Sequence, residues 1–108
     1  MPGRTLKFQI PDAVSFVKLP ICSTILSVGL ERISNIVFWI EEPDVASIDQ
    51  ADIDWPNVNV KFQVVPTGER PDYNMVFIGT LVRPRRSDPT RNAVLHVYAE
   101  KSKFIHTR

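Results

Sequence analysis

The sequence predicts an all-β fold, a compact β-sandwich or small barrel of about seven short strands. Three observations predict it. Residues 58–65 read V-N-V-K-F-Q-V-V, with Val58, Val60, Phe62 and Val64 on alternate positions and Asn59, Lys61 and Gln63 between them. That period of two marks a strand with one dry and one wet face. Short apolar segments then recur along the chain at roughly ten-residue spacing. Finally, 9 prolines stand against 4 glycines, which suits short strands joined by stiff connections, because proline fixes φ and ends a hydrogen-bonded ladder.

Taken in order, residues 5–10 alternate, with Leu6, Phe8 and Ile10 on one side and Thr5, Lys7 and Gln9 on the other. Pro11-Asp12 ends this strand with turn chemistry. Residues 14–19 form a second strand stopped by Pro20, and residues 24–30 a third with Gly29 inside it, a bulge or a close backbone approach. Residues 31–35 make a hairpin connection. The run I-V-F-W-I at 36–40 is the driest in the chain. It is too short for a buried helix and rich in β-branched and aromatic residues, so it predicts a strand covered on both faces, with Phe38 and Trp39 in the core.

Residues 41–57 break the pattern. Glu41, Glu42, Asp44, Asp49, Asp52 and Asp54 fall here with no Lys or Arg, and Trp55 sits among them. The expectation is a long acidic loop, with at most one helical turn over 45–51; loops of this length in small domains are usually functional or mobile. Turn residues follow the central strand at 66–72. Residues 73–83 (Y-N-M-V-F-I-G-T-L-V-R) predict a long apolar strand with a bulge at Gly79. A second charged loop covers 83–92, where Arg83, Arg85, Arg86 and Arg91 surround Asp88. The last strand spans 93–99, with Leu95 and Val97 on one face and His96 and Tyr98 on the other. Residues 100–108 form a basic tail in which Phe104 and Ile105 can dock on the body or on a neighbour.

A chain of 108 residues is a single domain, 1–108, by length. Its net charge of +1 gives no global attraction to nucleic acid or anionic lipid. The 1 cysteine, Cys22, forms no intrachain disulfide, which fits a reducing compartment, and its neighbours Ile21 and Ile25 predict a small buried hydrophobe. The opening Met-Pro-Gly-Arg predicts no secretory signal, and no segment has the apolar length of a bilayer span. The expectation is a chain not secreted through a signal peptide.

Motifs for chemistry are sparse. Asp49-x-x-Asp52-x-Asp54 offers hard oxygen ligands, but the glycine and closing glutamate of an EF-hand loop are missing, so these read as solvated carboxylates. His96 and His106 lie in no nucleophile or zinc pattern. No phosphate cradle or dinucleotide fingerprint occurs. The expectation is therefore no enzyme, no metal and no cofactor. Arg83-x-Arg85-Arg86 with Arg91 has the charge to meet phosphate, yet carries no interleaved aromatics for stacking bases, so nucleic acid is not the expected partner. The remaining reading is protein–protein contact. The acidic residues with Trp55, and the four arginines, form a complementary pair suited to head-to-tail self-association or to docking on other proteins.

Several short motifs occur in a fixed order: Lys7–Pro11 (K-F-Q-I-P), Leu19-Pro20, Ile25–Val28 (I-L-S-V), Val37–Ile40, Phe62–Gly68, Ile78–Thr80 (I-G-T) and His96–Glu100 (H-V-Y-A-E). In this order the chain resembles a family of small uncharacterised β-proteins found mostly in tailed bacteriophages and prophages. The resemblance covers nearly the whole chain. It departs at 41–57, which is longer and more acidic than the family's connection, and at 84–91, which resembles an insertion. It implies a non-catalytic interaction protein, such as a minor or decorating virion component that assembles with itself or with other virion proteins. The alternatives it leaves are an intracellular accessory protein that binds a host or defence protein, with the acidic loop as a charge mimic, and a small-ligand-binding barrel. The resemblance gives weight to Trp39, Thr67, Gly68, Gly79, Thr80 and His96, and their expected roles are structural: turn, bulge, and hydrogen bonds at strand ends.

Overall fold

A computed structural model describes residues 4–32, 35–43, 57–85, 87–88 and 90–108. The fold is a β-sandwich of two four-stranded sheets. The strands are β1 (Thr5–Ile10), β2 (Val14–Pro20), β3 (Thr24–Glu31), β4 (Asn35–Glu41), β5 (Asn57–Pro66), β6 (Met75–Pro84), β7 (Asn92–Glu100) and β8 (His106–Thr107). The first sheet has the order β1-β4-β3-β8 and the second β2-β5-β7-β6. All neighbours run antiparallel except β3 and β8, which are parallel.

Parity decides what enters the core. From β4, Ile36, Phe38 and Ile40 point inward; from β5, Val60 and Phe62; from β7, Leu95, Val97 and Ala99. Phe38 and Phe62 are fully buried and stack across the two sheets with ring centroids 4.3 Å apart. Phe8 lies against Phe38 at 5.6 Å. Removing such side chains from water contributes about 1.5–3 kcal/mol each, so this aromatic stack helps hold the two layers together along with the aliphatic core around it. The strand 36–40 is covered on both faces as expected. Val37 on its outer side is buried, but Trp39 is half-buried on that same outer side and so is not the core residue expected, because its position is one off the inward parity of Phe38.

Glycines set two close approaches. Trp39 lies diagonal to Gly29 in the β3–β4 ladder, and its indole crosses that residue so closely that a Cβ would stand 2.9 Å from the ring. Gly29 is therefore the close-approach case; the β3 bulge falls between Ile25 and Ser27 instead. Gly79 does mark a bulge, between Phe77 and Gly79, and there a Cβ would collide with Val28 of the facing sheet. Gly68 turns with φ +97, a conformation side chains resist.

The structure corrects several expectations. There are eight strands, because the tail adds β8, a pair of residues held to β3 at Thr24 and Ile25. Ile105 inserts into the core while Phe104 stays partly exposed. The tail is fastened by Cys22 N–H to the Phe104 carbonyl (2.7 Å), His106 N–H to Ser23 (2.9 Å) and Arg108 N–H to Ile25 (3.0 Å). Cys22 is exposed with φ 67, and Ser23 takes the buried place beside it. The β2–β3 turn puts position 22 in a left-handed conformation and directs its neighbour inward; hydrophobic flanks do not reveal this. Glu41 ends β4 and Asn57 begins β5, so neither belongs to a loop. Arg83, Pro84 and Asn92 are strand residues. β6 begins at Met75, with Tyr73 almost fully exposed before it. Prolines 20, 66 and 84 each occupy the last position of a strand, where a missing N–H costs the ladder little.

Candidate interaction surface

Of the expected partner-binding residues, Glu41 and Glu42 lie at the end of the first sheet's β4, while Arg83, Arg85 and Arg91 lie at the β6–β7 end of the second sheet. Asp44, Asp49, Asp52, Asp54, Trp55 and Arg86 lie outside the described residues, as does the expected helical turn over 45–51. Glu41 stands at the end of β4, in register with Thr5 and Thr24. Glu42 is partly covered and accepts hydrogen bonds from the Arg4 guanidinium at 3.2 and 3.4 Å, while its own N–H donates to the Arg4 carbonyl. It holds the entry to β1 to the exit of β4, a structural task in the first sheet. Arg83 is the next-to-last residue of β6, and Arg85 and Arg91 bound the β6–β7 connection of the second sheet. There the Arg85 N–H donates to Arg91 (2.8 Å), and the Arg91 N–H to Asp88 (3.0 Å). Asp88 is saturated locally: it accepts from the Thr90 N–H (3.1 Å) and hydroxyl (2.6 Å) and pairs with Arg91 at 3.6 Å. Arg85 projects exposed from this turn.

Apolar exposure converges on one face. Val14 and Phe16 of β2, Phe77 and Val82 of β6, and Val94 of β7 are the exposed large hydrophobic residues within strands. By parity every one lies on the outer side of the second sheet. Phe16 retains 68% of its surface, Phe77 54% and Val82 53%, with Phe16 at one edge of the sheet and Phe77 and Val82 at the other. The outer side of the first sheet differs. There Lys7 pairs with Glu31, Trp39 covers Gly29, and a concavity of about 350 Å³ is lined by residues including Gln9, Arg32 and Asn35.

The β5–β6 connection, residues 67–74, partitions the apolar face. β5 and β6 run parallel with β7 between them, so this segment must cross the sheet. It crosses on the outer side. The Asp72 N–H donates to Gln63 Oε1 (2.9 Å), and Asp72 accepts from Lys61 Nζ (2.7 Å). The Lys61 ammonium, by hydrogen bond and charge, holds the Asp72 carboxyl below its usual range. On the β7 side the crossing begins at Thr67, whose hydroxyl meets His96 Nε2 at 3.0 Å; Thr80 of β6 meets His96 Nδ1 at 2.9 Å. A neutral imidazole has one donor and one acceptor nitrogen. The Thr67 hydroxyl also reaches the Val94 carbonyl at 3.4 Å. If its proton goes there, Nε2–H donates to Thr67 and the Thr80 hydroxyl donates to Nδ1. His96 thus pins three elements together: the crossing segment, β6 and β7. Next to it Phe77 stands edge-on to Tyr98 at 5.7 Å and tilted over His96 at 6.2 Å.

Thr67, Thr80 and His96 are therefore joined by hydrogen bonds, though not at strand ends as expected, since Thr80 and His96 sit in the middle of β6 and β7 and only Thr67 follows a strand end; Gly68 and Gly79 supply the turn and the bulge. The exposed row Phe77, Val82, Val94 was not anticipated. In a run such as M-V-F-I-G-T-L-V the outward residues are as apolar as the inward ones, so composition hides the wet side. The signal available was that apolar outward row itself, offset by the bulge. Among the described residues no group of three or more His, Cys, Asp or Glu is placed to hold a metal ion, and no helix is long and apolar enough to cross a membrane.

A family model, a domain of unknown function (DUF7352), matches residues 1–107, and the chain belongs to that family. No curated protein and no solved structure matches it.

Proposed function

We propose that this DUF7352 member is a non-catalytic protein–protein interaction module of phage type, a minor or decorating virion component that meets other protein subunits through the outer face of its second sheet. One observation carries the reading: the exposed apolar side chains of its strands share that face, while the opposite face is closed by an ion pair and a tryptophan. A docking surface has this composition, an aromatic and aliphatic centre with charge at its margin, here Arg85 and Arg91 at one end. Its site chemistry consists of contacts rather than bond-making, with His96 engaged at both ring nitrogens by threonines. The phage assignment rests on the ordered motifs from Lys7–Pro11 to His96–Glu100.

Mass spectrometry of purified virions tests it. Peptides of this chain at a fixed ratio to a major capsid or tail protein are the expected result. Absence from virions, together with abundance in the infected-cell lysate, would replace this reading with the intracellular accessory protein.

A further inference from the structure

We propose that β6 is the seam of a homodimer, its open edge pairing antiparallel with β6 of a second copy so that the second sheet continues across a two-fold axis. The inference rests on the reading of this face as protein-binding, and names its occupant.

Four strands end the two sheets: β1 with 6 residues, β8 with 2, β2 with 7 and β6 with 10. Among the described residues β6 has a ladder partner on one side only, β7. A long edge leaves a row of N–H and C=O groups that can template another strand, and natural sheets usually blunt such edges. β8 is blunted by brevity, and β1 and β2 carry outward lysines, Lys7 and Lys18. β6 carries no charge on its outward row, which runs Phe77, Thr80, Val82. Its bulge at Phe77/Gly79 falls near the middle of the strand, and the register against β7 is regular on both sides of it, over Met75–Phe77 and Gly79–Pro84.

Charge selects both occupant and direction. Arg83 and Arg85 stand at the end of β6, whereas at its beginning Glu100 of β7 lies opposite Met75 with Lys101 next to it, so that end carries no net positive charge. An antiparallel mate brings the arginine end of each copy to the glutamate end of the other, twice by symmetry. A parallel mate would set arginine beside arginine, which is unfavourable for directly opposed strands. The same pairing places Phe77 of one copy beside Val82 of the other on the outer face of the continued sheet, where each shields the other's flank from water.

Sedimentation velocity of the full chain over a wide concentration range, with circular dichroism to confirm folding, tests the seam. The wild type is expected to dimerise. Val82→Lys, Arg85→Glu and Glu100→Arg, all at exposed positions, should each weaken the dimer at least tenfold, and Arg85→Glu combined with Glu100→Arg should restore it. A wild type that stays monomeric throughout, a dimer indifferent to Val82→Lys, or a double variant no better than the singles would overturn the proposal. Its failure is separable from that of the parent reading: a monomer found in virions sinks the seam alone, and a β6 dimer absent from virions sinks the virion role alone.

Discussion

At the scale of single residues, contact geometry explains what residue type alone leaves open. Gly79 has space for hydrogen and nothing larger, because Val28 of the opposite layer fills the position of a Cβ. Gly79→Ala should therefore destabilise by about 1–3 kcal/mol, the usual cost of overpacking. In urea unfolding, Val28→Ala should recover part of that loss, so that the double variant is more stable than the sum of the singles predicts. Strict additivity would contradict the contact. Thr80→Val should cost about 1 kcal/mol by removing a partner from His96. Asp72 supplies the acid-side prediction. Its carboxyl is held below the ordinary range by Lys61, so the contribution is complete above that range and is lost as pH falls through the lowered value. Asp72→Asn should then be less stable than wild type near neutrality and indistinguishable from it in strong acid. Because Asp72 stays open to solvent beside the partly covered Lys61, the pair should also weaken with added salt. Gly68 and Gly79 were legible because turn and bulge demands are local. Cys22 was not, because its exposure follows from a backbone conformation that its apolar neighbours do not encode.

Elements were legible wherever one face is dry and the other wet. β1 and β5 alternate cleanly, and the structure places their apolar residues, Phe8 with Val60 and Phe62, in or against the core. β4 was readable for the opposite reason, since a strand covered on both sides needs no alternation. Phe38→Ala should cost about 3–5 kcal/mol, because the ring lies between Phe8 and Phe62 and the cavity cannot easily collapse. The tail resisted reading. Two residues of strand carry no periodicity, and β8 exists because Ile105 beside it is buried and the backbone of Cys22, Ser23 and Ile25 receives it. Ile105→Ala should cost about 2–3 kcal/mol, and hydrogen exchange should quicken at Cys22, whose N–H depends on the tail. Unchanged exchange there would show the tail to be merely resting on the body.

For the whole molecule, the sandwich-or-barrel alternative is resolved by strand order. The two sheets share no ladder among the described residues and meet through side chains, Phe38 on Phe62 and Val28 on Gly79. That arrangement gives the protein two outer faces of different character. One is closed on itself by Lys7–Glu31 and Trp39; the other shows Phe16, Phe77, Val82 and Val94 to whatever meets it. Only pairing order reveals this asymmetry, because both sheets draw on similar sequences and strands adjacent in the chain, such as β1 and β2, part to different layers. Hydrogen–deuterium exchange followed as protein concentration is raised tests the account most directly. Amides of β6, Met75–Pro84, should become slower to exchange as copies associate, while those of β1 and β4 stay constant. Protection that arises in β1 and β4, or β6 exchange that is independent of concentration, would contradict it.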